Sequence, residues 1–199
     1  MKYLHITLIL FILNFTSCKA QTLPLYLSSD EIAGAYYKDI DNDLDQFVGT
    51  WLLTNDLMTF KIILKKREHI LNPFRNFYTD ILVGEYQYID DGIEQTNTLS
   101  NIDVNPLTYT NNLISGEVIS RCDECLPGHR KSVHLYLYNP IIDSFSMGMG
   151  ISIFKDNGIT KLKVILKQHI KYLTEDEEPV IPASYKVINN GEYILTKQP

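Results

Sequence analysis

The 199 residues are 45% hydrophobic and 21% charged, the proportions of one ordinary globular domain, which exclude a disordered, collagenous or multi-spanning chain. Eighteen basic against twenty-four acidic side chains leave a net charge of −6 with no long basic block. The electrostatic footprint of a nucleic-acid binder is therefore missing, and no DNA or RNA partner is expected.

Met1-Lys2 opens a positive n-region, and residues 4–15 form an apolar run followed by Thr16, Ser17 and Cys18. A spanning helix needs about 20 apolar residues, so this run reads as a secretory signal over residues 1–17. Phe15-Thr16-Ser17-Cys18 resembles the bacterial lipobox, in which an apolar residue and two small residues precede a cysteine that becomes the diacylated N-terminus. The resemblance implies a lipoprotein acylated on Cys18 and held at the membrane by that lipid. Lys19 follows the cysteine and no acidic cluster does, which implies outer-membrane attachment facing the periplasm. The alternative is cleavage after Ala20, with Cys18-Lys19-Ala20 as the small-x-small triplet and a secreted or soluble periplasmic chain starting at Gln21.

Residues 18–29 hold a proline and no hydrophobic period and are expected to form a tether, leaving 30–199 as a single domain. Ser28-Ser29-Asp30-Glu31 has the Ser-x-x-Glu spacing of a capping box and predicts a short helix over residues 30–37. Residues 43–48 could add one more turn. Asp39-Ile40-Asp41-Asn42-Asp43 begins like a calcium loop, but Leu44 stands where the glycine belongs and Thr50 where the bidentate glutamate belongs, so a solvated helix start is expected.

The period then changes to two. Phe60, Ile62 and Leu64 alternate with Thr59, Lys61 and Lys65, and Leu162, Val164, Leu166 and Ile170 alternate with lysines, as strands with one dry and one wet face do. The two strands share nearly the same text, on which any amphipathic strand with a lysine face converges; Ile63 and Ile165, among those lysines, are expected to be covered, the N-terminal segment being one candidate. Further β-rich runs occupy 82–89, 113–120, 133–139, 147–154, 185–188 and 192–196. Asp91-Gly92, Asn157-Gly158 and Asn190-Gly191 are the dipeptides that tight hairpins prefer. Antiparallel strands with these connections predict an all-β barrel or sandwich.

Phe47-Val48-Gly49-Thr50-Trp51 resembles the Gly-x-Trp that opens lipocalins and other calycin barrels. The resemblance implies an antiparallel calycin-like β-barrel of about eight or nine strands preceded by a short N-terminal helical segment. In it Trp51 plugs one barrel end and Gly49 permits close backbone approach. Lipocalins set an arginine from the last strand against that tryptophan; here Lys197 is the nearest cation. The wider order of Asp-rich turn, Phe-Val-Gly-Thr-Trp, lysine-edged strand, Leu82-Val83-Gly84-Glu85-Tyr86-Gln87-Tyr88 and mid-chain Cys-x-x-Cys is similar to a family of short secreted proteins and lipoproteins from Bacteroidota. That family has no assigned function, and the likeness implies no catalytic residue.

Cys122 and Cys125, three positions apart in an oxidising envelope, are expected to form a disulfide that tightens the loop between two strands. A redox pair would need a helix start, which Leu126-Pro127-Gly128 does not offer. Zinc is the alternative, with Cys122, Cys125, His129 and His134 as ligands of suitable type in a loop-borne site. Glu175-Asp176-Glu177-Glu178 reads as an exposed hairpin tip. Met147-Gly148-Met149-Gly150 lacks the third glycine of a phosphate loop, and its glycines share one strand face, where they permit curl or close approach. Tyr86 and Tyr88, with His134, Tyr136 and Tyr138, form alternating polar-tipped rows that either line a ligand cavity or form an outer face under loops. No catalytic elbow, His-Glu-x-x-His pair or P-loop occurs, and Glu85 and Glu117 have no nameable partner, so neither catalysis nor a cofactor is expected. The expected function is that of an anchored periplasmic lipoprotein binding a small or apolar ligand in its barrel. The alternative is an accessory of an envelope protein complex, with a solid barrel.

Overall fold

The computed structural model describes residues 21–104, 112–119, 132–142, 146–169 and 185–199. Among the described residues eleven strands form one sheet: β1 (Thr22–Pro24), β2 (Tyr36–Lys38), β3 (Gly49–Thr54), β4 (Met58–Asn72), β5 (Phe77–Asp90), β6 (Ile93–Asn97), β7 (Ile114–Ile119), β8 (Val133–Tyr138), β9 (Ser146–Asp156), β10 (Ile159–His169) and β11 (Gly191–Lys197). Eight of them, all but β1, β2 and β6, follow one another as an antiparallel meander, and β11 returns to pair with β3, so the barrel is closed. Closure removes the open edges that a flat sheet would present.

Alternation sets what goes inside. Phe60, Ile62 and Leu64 on β4, Val133, Leu135 and Leu137 on β8, Met147, Met149 and Ile151 on β9, and Leu162, Val164 and Leu166 on β10 are all buried in one core cluster. Their alternate neighbours face out. At Gly84 the barrel wall turns so tightly that a Cβ would lie 2.7 Å from the Ile63 carbonyl oxygen, and only glycine fits.

β5 is long enough to serve three partners along one edge. It pairs with β2 at Tyr78 and Thr79, with β7 at residues 82–84, and with β6 at residues 87–90. Its early part and the end of β4 continue past the barrel as a two-stranded arm, bulged between Arg67 and Ile70, with His69 in the left-handed region at φ 57°. β2 lies parallel against this arm, and β1 lies parallel against β2.

The Trp51 end of the barrel is closed by the N-terminal segment. Trp51 is fully buried, its indole N–H donates to the Phe47 carbonyl at 2.8 Å, and Leu25, Ala35, Tyr37, Leu44 and Phe47 pack into the same cluster. The Lys197 ammonium stands 5.2 Å from the centre of the indole ring. Gly49 has φ 131°, and a Cβ there would meet the Lys197 side chain at 3.2 Å.

Five expectations are corrected. The capping box at Ser28 starts no helix over residues 30–37: a 3-10 turn spans Leu25–Asp30, Glu31 ends it in the left-handed region, and Tyr36–Lys38 is the strand β2. Local capping loses to burial here, because β2 places Ala35 and Tyr37 in the core while the Glu31 carboxylate turns out to Arg75 at 3.0 Å. From Gln21 onward the expected tether is part of the folded unit, as β1 and the buried Leu25 show. Residues 185–188 form no strand, and Asn190-Gly191 makes no hairpin: the Asn190 side-chain carbonyl accepts the Gln168 N–H at 2.6 Å. Asp39 is not solvated; it is 3% exposed, and its carboxylate accepts the N–H groups of Asp43 and Leu44 and pairs with Lys66 at 2.9 Å. The second expected turn does form, as a 3-10 turn over Asp45–Phe47. Asp91-Gly92 and Asn157-Gly158 adopt the positive φ that their hairpins need.

Candidate functional site

The barrel register places a groove on the outer wall. On β9 the outward positions are Ser146, Gly148, Gly150 and Ser152, all small, because the inward positions hold the bulk of that strand. Across one side Tyr138 pairs with Ser146, Tyr136 with Gly148 and His134 with Gly150. Across the other, Lys167 pairs with Gly148, Ile165 with Gly150 and Lys163 with Ser152. Cross-strand partners share a face, so two glycines form a floor between a wall of tyrosine and imidazole and a wall of isoleucine and lysine. The groove has a volume of ≈ 380 Å³ and is lined by His134, Tyr136, Gly148, Gly150, Ile165 and Lys167.

Its walls are exposed. Tyr136 is 50% and Ile165 38% accessible, and the Tyr136 and Tyr138 rings lie side by side with centres 6.3 Å apart. Burial, then the neighbouring Tyr136, raises the Tyr138 hydroxyl above its ordinary pKa. A Cβ on Gly150 would meet nothing within 4 Å, which measures how open the floor is. Ile165 is thus left open where a cover was expected; Ile63, its counterpart on β4, is half-buried.

The five side chains expected to act as one set do not stand together. Tyr86 and Tyr88 face inward, at the barrel end opposite Trp51, where the Tyr86 hydroxyl reaches the Tyr138 carbonyl at 3.4 Å and the Tyr88 hydroxyl reaches Asp90 at 3.2 Å. Burial raises both hydroxyls, and with the help of Asp90 it pushes Tyr88 up to about 12. His134, Tyr136 and Tyr138 face outward. The partners of the groove, Ile165 and Lys167 on β10 and the floor of Gly148 and Gly150, escape a reading strand by strand. The signal for them is the run of small residues at every second position of β9.

Cys18, Cys122, Cys125 and His129 lie outside the described residues, as do Glu175-Asp176-Glu177-Glu178. Among the described residues no group of three or more His, Cys, Asp or Glu side chains is placed to hold a metal ion, and no helix is long and apolar enough to cross a membrane.

A family model described as a family of unknown function (DUF6705) matches residues 1–198. No curated protein and no solved structure matches the chain.

Proposed function

We propose that this chain, which belongs to that family of unknown function, is a lipid-anchored binding protein whose ligand lies along the outer barrel wall. The observation that carries this reading is the glycine floor of Gly148 and Gly150, sunk between Tyr136 and His134 on one side and Ile165 and Lys167 on the other. Such a lining suits an elongated molecule with an aromatic or apolar body and an anionic end: Tyr136 and Ile165 take the body and Lys167 takes the charge. The inward side chains pack in one cluster, which favours the wall over the barrel lumen as the binding surface. Acylation of Cys18 and a position on the periplasmic side of the outer membrane belong to the same reading, supported by residues 1–18. The stacking of Lys197 on Trp51 above Gly49 supports kinship with calycin barrels, with lysine in the place of their arginine. A protein partner on the same wall is the second reading, favoured by the adjacent exposed Tyr136 and Tyr138, since tyrosines are enriched at interfaces.

Gly150→Leu tests the ligand reading. The added side chain enters open space and leaves the fold alone, yet fills the groove. Titration with anilinonaphthalene sulfonate, an aromatic anion whose fluorescence rises on binding, should give a dissociation constant at least about tenfold weaker for the variant. Equal affinity would overturn the assignment of the groove.

A further inference from the structure

The β4–β5 arm ends in a turn, residues 73–76, at whose point Phe74 is 82% exposed, the most exposed large hydrophobic side chain among the described residues. This exposure is built in. Asn72 is buried, and its side-chain carbonyl accepts the N–H groups of Phe74 at 3.1 Å and Arg75 at 3.3 Å, while its backbone carbonyl accepts that of Asn76 at 2.9 Å. The turn is therefore fixed by a buried polar side chain, and Phe74 is held outward. Leu71 on the arm is 42% exposed. Residues 31–34 run beside the turn, tied to it by the Arg75–Glu31 ion pair and by the Gly34 N–H on the Asn76 carbonyl at 2.7 Å, and add Ile32, 44% exposed.

The start of the folded unit lies at the same end. β1 is parallel to β2 and β2 to β5, so the N-terminal ends of all three point toward the turn. The Gln21 carbonyl accepts the Tyr36 N–H at 2.8 Å, which sets Gln21 one short step from the strand segment that bonds Asn76. Only Lys19 and Ala20 separate Gln21 from Cys18. A link of that length spans no more than about 11 Å, because an extended chain advances no more than about 3.6 Å per residue.

We infer that the tip of this arm is a membrane-contact site, with Phe74 entering the interfacial layer of the bilayer that holds the Cys18 acyl chains. The inference rests on the lipid-anchor reading above. So short a link leaves the surface around Gln21 facing lipid, and that surface carries a rigidly presented aromatic ring with an arginine beside it. Aromatic rings favour the headgroup boundary, and a second contact adds to what the lipid alone provides. The tip thereby fixes how the barrel stands on the membrane.

The test uses the full chain carrying Phe74→Trp, purified from membranes and placed in vesicles of phosphatidylethanolamine and phosphatidylglycerol with and without brominated acyl chains. Mass spectrometry of the N-terminal peptide reports acylation of Cys18. The unaltered chain is the control, because Trp51, its only tryptophan, is fully buried in the core. The expected result is acylated Cys18, a loss of emission from the variant in brominated vesicles, and no loss from the unaltered chain. Acylated Cys18 without quenching would overturn the membrane contact and leave the anchor standing; unmodified Cys18 would remove the anchor reading and this inference with it.

Discussion

Glu85 is 1% exposed on the outward face of β5, where its carboxylate accepts from the Asn112 amide at 2.9 Å. Burial raises its pKa above the ordinary carboxylate value, and hydrogen bonds from Thr98, Asn112 and the Leu113 backbone offset that only in part. The folded chain then binds this proton more tightly than the unfolded chain does. Stability is accordingly full below the ordinary value and falls as pH rises through the raised one. Glu85→Gln should flatten this part of the stability profile and raise stability at neutral pH. Urea midpoints measured from acid to neutral pH check it, and an unchanged slope would contradict the burial of the charge. Trp51 is a different case, since its loss leaves a cavity at the closed barrel end. Trp51→Ala should cost about 3–5 kcal/mol, whereas Lys197→Gln, which removes only the cation over the ring, should cost about 0.5–1 kcal/mol. Denaturant midpoints of the two variants compare them directly, and equal losses would refute the placement of the indole.

Gly84 illustrates how a strand pair depends on one position. Its pro-chiral space is filled by the Ile63 carbonyl and a Leu64 methyl, both at 2.7 Å, and a backbone oxygen cannot swing aside. Gly84→Ala should therefore destabilise the β4–β5 pair by about 1–3 kcal/mol, while Gly150→Ala on the open wall should be close to neutral, as paired thermal melts would register. The long strands were legible because lysine and aliphatic side chains alternate over enough residues to fix the period. β1, β2 and β6 were not, being too short to show one, and residues 30–37 carried a local capping signal that the burial of Ala35 and Tyr37 overrode. The aromatic rows were left open between inside and outside for a subtler reason. Period two says that Tyr86 and Tyr88 share a face, and that His134, Tyr136 and Tyr138 share one, but not which face is inside. The answer lay in the alternate row: Val133, Leu135 and Leu137 are more apolar than the tyrosines between them and take the interior, whereas Glu85 and Gln87 yield it to Tyr86 and Tyr88. The groove required one more step, the pairing of three strands, which no single strand encodes.

The barrel is closed by its shortest ladder. β11 meets β3 at two registered pairs, Thr196 with Leu52 and Lys197 with Trp51, extended by the Gln198 N–H on the Thr50 carbonyl at 2.8 Å, while β9 and β10 pair along their whole length. Opening should begin at this seam, since local stability follows the number of interactions that hold a segment. Native-state hydrogen exchange should find the amides of Leu52, Thr196 and Gln198 less protected than those of residues 162–166; equal protection would mean that the closure is stronger than its length. The seam joins the first barrel strand to the last, so it is also the contact that must wait longest during folding. The wall bearing the groove lies elsewhere, on β8, β9 and β10, and its residues interleave with those of the core one for one. Within β8, Val133, Leu135 and Leu137 answer to folding, while His134, Tyr136 and Tyr138 answer to whatever the surface meets. A substitution in the second set leaves the first untouched, so the chemistry of this wall can change while the barrel beneath it stays the same.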